Sequence, residues 1–350
     1  MAVFDSPYFD DHEQVAHCHD PASGLRAVIA IHSSVLGPAL GGCRMWPYAS
    51  QQEAVDDVLR LSRGMTFKAA VAGLDLGGGK SVIIGHAERD KSRALLLAMG
   101  RFVESLGGRY HVAEDVGMTV ADMDVMGRAT RFVHGSSEDT GNPAPVTAYG
   151  VFVGLRAAVR HRLGRDELKG LTVSVQGVGS VGAHLCSRLA KAGAKIVAAD
   201  LNRAAAERMA SELGARTVAP EAIHRVPADV FAPCALGGVL DDRTVEELAA
   251  PIVAGSANNQ LREDRHGALL QDRGILYAPD YVINAGGLID VARKGRDRDR
   301  ESVFAATARI ADTLTAIFRR SDAEGRPTNI IADRMARARL GRASAERAAA

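Results

Sequence analysis

The clearest pattern of apolar and polar positions in the chain lies between residues 171 and 200. The short β-branched run at residues 171–175 predicts a buried strand, and a second apolar run at residues 196–199 predicts another. Between them, apolar residues recur every three or four positions, which predicts an amphipathic helix. These residues are Val181, Leu185, Leu189 and Ala192. The pattern therefore predicts a strand–helix–strand unit.

The turn after the first of these strands has the sequence G-x-G-x-x-G, the spacing of a dinucleotide-binding fingerprint. Its glycines permit a tight turn, a close approach of pyrophosphate to the backbone, and close packing of helix on strand. Asp200 lies where an acidic residue binds a ribose 2′-hydroxyl. The residues expected to bind the dinucleotide are Gly177, Val178, Gly179, Ser180, Val181, Gly182 and Asp200. The alternative is a structural glycine turn in another type of α/β protein.

Strand and helix patterns alternate along the rest of the chain, which predicts an α/β fold. Ser50 and Glu53 form a predicted capping box at the start of a helix. The glycines and proline of residues 36–44 argue against a regular element there. The predicted strands are residues 25–32, 81–85, 110–117, 171–175, 196–199, 229–231, 252–254 and 275–277, and further predicted helices are residues 91–106, 146–163, 203–213, 302–319 and 327–341.

Residues 135–145 consist almost wholly of turn-forming residues and are the best candidate for a linker between two domains. A boundary there gives a first domain at residues 1–140 and a second domain, with the fingerprint, at residues 146–325. A further helix is expected within residues 326–350, with a frayed tail after residue 341.

The composition argues against several classes of partner. The 350 residues include 43 basic and 42 acidic side chains, so a net charge of +1 favours neither nucleic acid nor a membrane surface. No apolar run is long enough to span a membrane, and the acidic start does not resemble a signal peptide. The four scattered cysteines are typical of the reducing cytoplasm. His17, Cys18 and His19 have no further ligands clustered nearby, so no metal is expected.

Two lysines, Lys68 and Lys80, lie among small and apolar residues. The segment around Lys80 ends like a phosphate-binding loop, but Leu74 stands where that motif has glycine, and a strand rather than a helix should follow. A solvated surface role and a functional role both remain open for the lysines at this stage. Glu114 and Asp115 follow a predicted strand and are either site carboxylates or helix-entry residues.

Seven segments occur in an order that is specific when they are taken together. They are PALGGCRMW, GMTFKAAVAGLDLGGGKSVIIG, AEDVGMTVADMD, VQGVGSVG, DVFAPCALGG, AGSANNQL and ILYAPDYVINAGG. From about residue 10 to residue 340, the chain resembles the glutamate, leucine, phenylalanine and valine dehydrogenases, and most closely the leucine dehydrogenase branch.

The resemblance implies two α/β domains, an N-terminal domain that binds substrate and builds the oligomer and a Rossmann domain that binds NAD. Chemistry is expected in the cleft between them, and the C-terminal helix is expected to return toward that cleft. The implied reaction is the reversible oxidative deamination of an L-amino acid to a 2-oxo acid and ammonia. A cytoplasmic homo-oligomer is expected, either an octamer by resemblance or a dimer.

The resemblance also assigns roles to individual residues. Lys80 matches the catalytic lysine, Asp115 matches its carboxylate partner, and Lys68 matches the lysine that binds the substrate carboxylate. A lysine acts as a base near neutral pH only when burial or nearby positive charge disfavours its charged form. Further substrate-binding residues by resemblance are Gly41, Gly42, Met65 and Asn259, and further cofactor-binding residues are Thr147, Asn258 and Asn284.

The residues expected to line the side-chain pocket are Leu40, Ala113, Leu288 and Val291. Glutamate enzymes carry a lysine at the position of Leu40 and a serine at that of Val291, so the apolar residues here argue against glutamate. Phenylalanine enzymes tend to have smaller residues at Leu40 and Ala113, so an aliphatic substrate is favoured. Leucine, valine and isoleucine are not distinguished, because Leu288 and Cys43 depart from the usual valine and threonine.

Two other functions remain open from the sequence. The first is a dehydrogenase for an aromatic or unusual L-amino acid. The second is a non-catalytic NAD-binding sensor on the same fold, which would have no need of Lys68, Lys80 and Asp115.

Overall fold

The computed structural model describes residues 3–137, 142–293 and 299–349. The chain divides into two compact units. The first is Met1–Gly141 with Val291–Arg296 and Ala336–Ala350, and the second is Asn142–Asp290 with Asp297–Met335. The change from the first unit to the second falls within the predicted linker at residues 135–145, of which residues 138–141 lie outside the described residues.

The first unit is built on a mixed five-stranded sheet. Its strands are β1 (Gln14–Asp20), β2 (Leu25–Ser33), β3 (Ala39–Trp46), β4 (Gly77–Ile84) and β5 (Tyr110–Glu114). They lie in the order β1-β2-β4-β3-β5. β2 is antiparallel to both β1 and β4, whereas β3 is parallel to both β4 and β5. The carboxyl ends of β3, β4 and β5 therefore lie at the same edge of the sheet.

Helices cover both faces of this sheet. They are α1 (Gln51–Val71), α2 (Arg93–Ser105) and α3 (Val120–Met126). Successive strand residues face opposite sides. On β2, Val28 and Ala30 accordingly pack against α1. Ala27, Ile29 and Ile31 pack in the core that includes α2 and α3. Both faces of the sheet are thus apolar and buried.

The strand β3 lies where the sequence predicts an irregular segment, so that prediction is wrong. Glycine weakens a strand, but it is accepted where another backbone comes very close. A Cβ on Gly41 would lie only 1.7 Å from the carbonyl oxygen of Gly79 on β4. The glycines of β3 therefore mark the close approach of two strands rather than a break in the sheet.

The predicted helix starts are largely confirmed. The hydroxyl of Ser50 caps α1 by accepting a hydrogen bond from the amide of Glu53 at 3.1 Å. The carboxylate of Glu53 accepts from the amide of Ala49 at 2.8 Å, one residue before the predicted partner. Thr119 and Asp122 form a complete capping box at α3. Side-chain caps of this kind satisfy the first amides of a helix, which have no partner within it.

The second unit contains a six-stranded parallel sheet. Its strands are β6 (Thr172–Gln176), β7 (Lys195–Ala199), β8 (Arg216–Thr217), β9 (Val230–Pro233), β10 (Ile252–Val253) and β11 (Leu276–Tyr277). They lie in the order β11-β10-β9-β6-β7-β8. This is the strand order of the Rossmann fold, whose ligands bind where the order reverses, here between β6 and β9.

The remaining α-helices are α4 (Ala144–Leu163), α5 (Ser180–Lys191), α6 (Arg203–Leu213), α7 (Asp242–Glu247), α8 (Arg265–Asp272), α9 (Asp280–Ile283), α10 (Gly286–Ala292), α11 (Arg300–Ala308), α12 (Ile310–Glu324) and α13 (Thr328–Ala349). Short 3-10 turns occupy Val3–Asp5 and Pro220–Arg225. The single helix predicted at residues 302–319 is in fact two helices, α11 and α12, which are separated by a break at Arg309. The prediction missed the break because the apolar pattern continues across it. The tail predicted to fray after residue 341 is helical as far as Ala349, in keeping with its alanines and arginines, which favour helix.

Two kinds of site are not found among the described residues. Cys18 packs into the core from β1 while His17 and His19 are exposed, so the strand separates this candidate trio. No cluster of three or more potential metal-ligating side chains occurs within residues 3–137, 142–293 and 299–349. None of the helices in these ranges has the length and apolar character needed to cross a membrane.

Two buried histidines, His12 and His32, lie beside α1 in the first unit. Their rings meet edge to face with centroids 4.8 Å apart. His12 Nε2 contacts the carbonyl oxygen of Leu59 at 3.0 Å, and His32 Nδ1 contacts the hydroxyl of Thr66 at 2.9 Å. Burial lowers the pKa of both rings, and that of His32 falls to about 4. Both rings are therefore neutral in the folded protein at pH 7.

We expect the protein to lose stability as the pH falls from about 6.5 to about 4. An unfolded histidine titrates near pH 6.5, so the unfolded chain binds a proton in this range that folded His32 does not. The stabilisation is complete above pH 6.5 and shrinks below it, by up to about 3 kcal/mol for His32. The urea midpoint of His32→Gln should accordingly change less between pH 7 and pH 4.5 than that of the wild type.

The exposed His19 provides a matched control, because His19→Gln should follow the wild type. Equal acid sensitivity of the wild type and His32→Gln would contradict the assignment of the effect to His32.

Candidate active site

The first unit brings Lys80 and Asp115 into direct contact. Lys80 lies within β4, which confirms that a strand rather than the helix of a phosphate loop follows the glycines. Lys80 Nζ is 3.0 Å from Oδ2 of Asp115, the residue that follows β5. The lysine side chain is 7% exposed and the aspartate side chain 22%. The pair is therefore largely buried, with its carboxylate still partly accessible.

The carboxylate of Asp115 is held in its charged form. Burial by itself would raise its pKa, but the charges and hydrogen bonds of Lys80 and Arg44 outweigh burial and lower the pKa to about 2. The neighbouring Glu114 behaves in the opposite way, because burial and the negative charge of Asp115 raise its pKa. Of the two carboxylates that the sequence left open, Asp115 is the one that pairs with Lys80.

Gly42 leaves the space that this ion pair occupies. A Cβ at Gly42 would lie 2.7 Å from the Cβ of Asp115 and 3.2 Å from Lys80 Nζ. It would also lie 2.8 Å from the carbonyl oxygen of Glu114. Even an alanine at this position would push the lysine and the carboxylate aside. The glycine is therefore a steric requirement of the pair.

Several residues predicted to bind substrate share one face of the sheet. Leu40 and Gly42 are two residues apart on β3 and therefore point to the same side. Ala113 pairs with Gly42 and Gly78 pairs with Leu40 across the neighbouring strands, so they point the same way. Lys80 lies two residues after Gly78 and also shares this side. It is the face covered by α1, because Gly78 lies directly against that helix.

The helix α1 also carries Met65 and Lys68 in its last two turns, and both are partly buried. A cation near the carboxyl end of a helix is favoured by the helix dipole. Val291 belongs to the first unit as well, and its carbonyl oxygen accepts a hydrogen bond from His134 Nδ1 at 3.1 Å. Leu288, the fourth predicted pocket residue, belongs to the second unit.

The second unit contains the fingerprint as the strand β6, a glycine turn and the helix α5. Gly177 has a φ of +91°, and a Cβ there would lie 2.7 Å from the side chain of Ala235. A Cβ on Gly182 would lie 2.1 Å from the carbonyl oxygen of Gly177, so this glycine lets α5 approach the turn. Gly179 is the N-cap of α5 and has no side chain to cover the first amides. Amides at a helix start favour a phosphate group.

Asp200 ties the fingerprint turn to the end of β7. Its Oδ2 accepts a hydrogen bond from the amide of Val178 at 2.7 Å, and its Oδ1 accepts from the amide of Asn202 at 2.8 Å. The predicted role of Asp200 in ribose binding is compatible with these bonds, because each carboxylate oxygen can accept two hydrogen bonds. The structure thus adds a local structural role that the motif alone did not indicate.

The structure brings three other predicted cofactor residues close together in the second unit. Asn284 Nδ2 donates to Oδ1 of Asn258 at 2.7 Å and to the carbonyl of Ser256 at 3.0 Å. A Cβ on Gly287 would lie 2.8 Å from the hydroxyl of Thr147, which places Thr147 beside the same loop. Asn284 Oδ1 is buried without a hydrogen-bond partner among the described residues. A buried acceptor without a hydrogen bond costs free energy, and the amide group of a nicotinamide would supply the missing donor.

Asn259 adopts a left-handed backbone conformation with a φ of +51°. Its carbonyl oxygen accepts a hydrogen bond from the amide of Gly238 at 2.7 Å, whereas its side chain is exposed. The backbone of this predicted substrate residue is therefore fixed, and its amide group is left accessible.

The sequence did not single out Arg44 or His134. Arg44 Nε donates to Asp115 Oδ2 at 3.0 Å, and His134 contacts both Val291 and His111. Arg44 lies in the quoted segment PALGGCRMW, but its partner is distant in sequence and becomes adjacent only when β3 and β5 pair. No local motif reports such a contact.

The structure has the parts of a dinucleotide-dependent dehydrogenase. These parts are a sheet with the Rossmann strand order, a glycine fingerprint, and a separate α/β unit with a buried lysine–carboxylate pair. Residues 12–132 match the family model of the Glu/Leu/Phe/Val dehydrogenase dimerisation domain. Residues 142–205 and 199–319 match that of glutamate/leucine/phenylalanine/valine dehydrogenase. The chain belongs to the Glu/Leu/Phe/Val dehydrogenase family and is an amino-acid dehydrogenase.

Relatives cover nearly the whole chain. It is 51% identical over 343 residues to the leucine dehydrogenase of Thermoactinomyces intermedius, spanning 97% of this chain and 94% of the relative. It is 51% identical over 335 residues to the valine dehydrogenase of Streptomyces virginiae, spanning 94% of each. The crystal structure of L-tryptophan dehydrogenase from Nostoc punctiforme matches with a TM-score of 0.84 and 44% identity, over 95% of this chain and 97% of that chain.

These similarities confirm the resemblance inferred from the sequence motifs. Family membership implies a nicotinamide cofactor and a small-molecule substrate. The match to a dimerisation domain implies that the protein assembles into an oligomer.

We expect Gly42→Ala to lower kcat by about tenfold or more, because the added methyl group would displace Lys80 from Asp115. The measurement is amino-acid-dependent reduction of the nicotinamide cofactor, followed by absorbance. The control is Gly341→Ala on α13, where a Cβ would have no described atom within 4 Å. Wild-type kcat in Gly42→Ala would contradict the steric argument.

Proposed function

We propose that the protein catalyses the reversible, NAD-dependent oxidative deamination of a branched-chain aliphatic L-amino acid. The substrate would be leucine, valine or isoleucine, and the products a 2-oxo acid and ammonia. The observation that carries the proposal is the buried Lys80–Asp115 pair on the same sheet face as the apolar side chains of Leu40 and Ala113. Relatives with about half of their residues identical are named leucine and valine dehydrogenases, which supports it.

In the proposed mechanism, Lys68 binds the α-carboxylate of the amino acid and so orients it. Asp115 is proposed to receive the proton that leaves the α-ammonium group and to keep it for the later return to the nitrogen. The bound nicotinamide supplies the acceptor for the hydride of the Cα–H bond. Lys80 is proposed as the base that then accepts a proton from the water that attacks the resulting imine carbon. Asp115 returns its proton to the nitrogen of the resulting carbinolamine. The hydroxyl group then loses its proton to solvent as the C–N bond breaks, which releases ammonia and leaves the 2-oxo acid.

NAD is proposed as the cofactor in preference to NADP. A 2′-phosphate would meet the negative charge of Asp200 and would replace the ribose hydroxyl that this carboxylate can bind. Arg203 is nearby in sequence and could attract a phosphate. However, its side chain is 91% exposed and its Nε pairs with Glu207 at 2.8 Å. The orphaned acceptor Asn284 Oδ1 supports the placement of the nicotinamide amide in the same unit.

The four residues that the resemblance assigns to the substrate's side chain are all apolar. They are Leu40, Ala113 and Val291 of the first unit and Leu288 of the second unit. Burial of the glutamate side-chain carboxylate among such residues would be costly. Aliphatic side chains that differ by one methylene should differ by about 1–3 kcal/mol in transition-state binding, so leucine, isoleucine and valine are all expected to react.

The oligomer is proposed to be an octamer or a dimer of identical chains. A cytoplasmic location remains our expectation from the sequence. It accords with the four free thiols, which are Cys18, Cys43, Cys186 and Cys234.

A dehydrogenase for an aromatic amino acid is the second candidate, favoured by the similarity to the L-tryptophan dehydrogenase structure. Leu40 argues against it, because this side chain is 1% exposed and occupies the proposed pocket position. A non-catalytic sensor is not supported, because the curated relatives are named as dehydrogenases.

We expect the wild type to prefer leucine, isoleucine or valine to phenylalanine and tryptophan, to reject glutamate, and to use NAD far better than NADP. Leu40→Ala should raise kcat/KM for phenylalanine relative to valine, because it enlarges the pocket. Catalytic efficiencies are measured on the six amino acids for both enzymes, and on both cofactors for the wild type.

Truncating a buried leucine costs about 2–5 kcal/mol of stability, so Leu40→Val is measured beside Leu40→Ala. Preference of the wild type for tryptophan or glutamate would contradict the proposed substrate class. An unchanged ranking in both variants would remove Leu40 from the pocket.

We expect Lys80→Ala to abolish turnover while NADH binding, followed by fluorescence, is preserved. Lys68→Ala should chiefly raise KM for the amino acid, because it removes the proposed carboxylate anchor rather than the base. Lys195→Ala, an exposed lysine at the start of β7, serves as the control. Retention of most activity by Lys80→Ala would contradict its assignment as the base.

A further inference from the structure

Arg44 joins the Lys80–Asp115 pair to the helix that carries Lys68. It lies on β3, on the same side as Leu40 and Gly42, because alternate strand residues share a face. Arg44 Nε donates to Asp115 Oδ2 at 3.0 Å, and its Nη1 donates to Asp57 Oδ2 at 2.9 Å. The side chain therefore spans from the end of β5 to α1.

Asp57 connects Arg44 to the helix that carries Lys68. It lies on α1 about three turns before Lys68, which places the two side chains on the same face of that helix. Tyr48 donates to Asp57 Oδ2 at 2.7 Å, and Arg60 donates to its Oδ1 at 2.9 Å. Burial would raise the pKa of Asp57, but these hydrogen bonds and the charge of Arg44 outweigh it and lower the pKa. Asp57 is thus a charged, hydrogen-bonded anchor for Arg44.

Both cations that contact Asp115 end on the same oxygen. Lys80 Nζ and Arg44 Nε each lie 3.0 Å from Oδ2. Two bonds that converge on one oxygen fix the rotation of the carboxylate, and hence the direction in which Oδ1 points. The side chain of Arg44 is 21% exposed, so its bonds are only partly open to competition from water.

The arginine is suited to this role by its shape. It uses two different nitrogens of one rigid planar group to hold Asp115 and Asp57 at once. A lysine carries a single nitrogen on a flexible stem and does not reproduce this planar fork. The geometry therefore requires the guanidinium group and not the positive charge alone.

We propose that Arg44 is a positioning residue that holds the Asp115 carboxylate on Lys80 and keeps it in register with the helix bearing Lys68. It contacts neither substrate nor cofactor in this role. The proposal rests on the proposed function, since it assigns Arg44 to the support of that reaction. If Arg44 contributed only to folding, its replacement would not affect turnover and substrate binding differently.

The test compares Arg44→Met, Arg44→Lys and Arg60→Gln with the wild type. Arg60 is a matched control, because it bonds to the same Asp57 but its bond lies on the other carboxylate oxygen, and its side chain is 44% exposed. The measurements are kcat, KM for leucine, the Kd of NADH and the midpoint of thermal unfolding.

We expect Arg44→Met to lower kcat by about 10- to 100-fold, since small displacements of catalytic groups have effects of this size. KM for leucine and the Kd of NADH should stay within about threefold of the wild type, and Arg60→Gln should match the wild type throughout. Arg44→Lys should have an intermediate kcat, because it restores the charge and one of the two bonds.

The proposal is overturned if kcat of Arg44→Met stays within about threefold of the wild type, or if Arg60→Gln loses as much. It is also overturned if kcat of Arg44→Lys equals that of the wild type, whereas a kcat of Arg44→Lys as low as that of Arg44→Met supports the requirement for the guanidinium group. Should Arg44→Met fail to fold, Arg44→Lys decides: a kcat reduced with unchanged NADH affinity supports the proposal, and a wild-type kcat overturns it.

Failure of the proposed function gives a different result. In that case the wild type itself shows no turnover with any amino acid, and crystal structures of the wild type and Arg44→Lys decide instead. Lengthening of the Lys80–Asp115 distance from 3.0 Å beyond hydrogen-bonding range in the variant supports the positioning role, and an unchanged distance overturns it.

Discussion

The close packing of the first unit depends on glycines, whose lack of a side chain lets backbone segments and charged groups approach one another. Gly41 lets β3 come against β4, and Gly78 lets α1 lie directly on the sheet. Gly42 then leaves the volume in which Lys80 and Asp115 meet. Charges are costly to bury and need partners at hydrogen-bonding distance, so space beside a tightly packed sheet has to be provided at defined points. The glycines of this unit supply that space.

The dinucleotide fingerprint of the second unit could be predicted from the sequence because the residues that define it are close together in the chain. The strand, the glycine turn, the helix and Asp200 follow one another within about 30 residues, and each can be recognised from its residue types alone. The strand β3 could not be predicted in the same way. Whether a glycine-rich segment is a turn or a strand depends on the neighbouring backbone, and for Gly41 that neighbour is distant in sequence.

The residues of the candidate site show the same division. Lys68, Lys80 and Asp115 were found through motifs, and the contact between Lys80 and Asp115 follows from the pairing of β3 with β4 and β5. Arg44 was not found, because its two partners lie 71 and 13 residues away and belong to a strand end and a helix. One helix end was missed although composition favours helix there, namely the tail that continues to Ala349. Sequence patterns thus report residue chemistry well and long-range contacts poorly.

The last helix has a consequence for the order in which the chain can fold during synthesis. Arg337 contacts Asp10 at 3.3 Å, and Arg339 donates to the carbonyl of Ala70 at 2.9 Å, so residues near the C-terminus complete the first unit. In the chain these residues come after most of the second unit and are therefore synthesised after it. The first unit remains unfinished until they have been made, and the surfaces that it exposes before then must stay unaggregated while the second unit is synthesised.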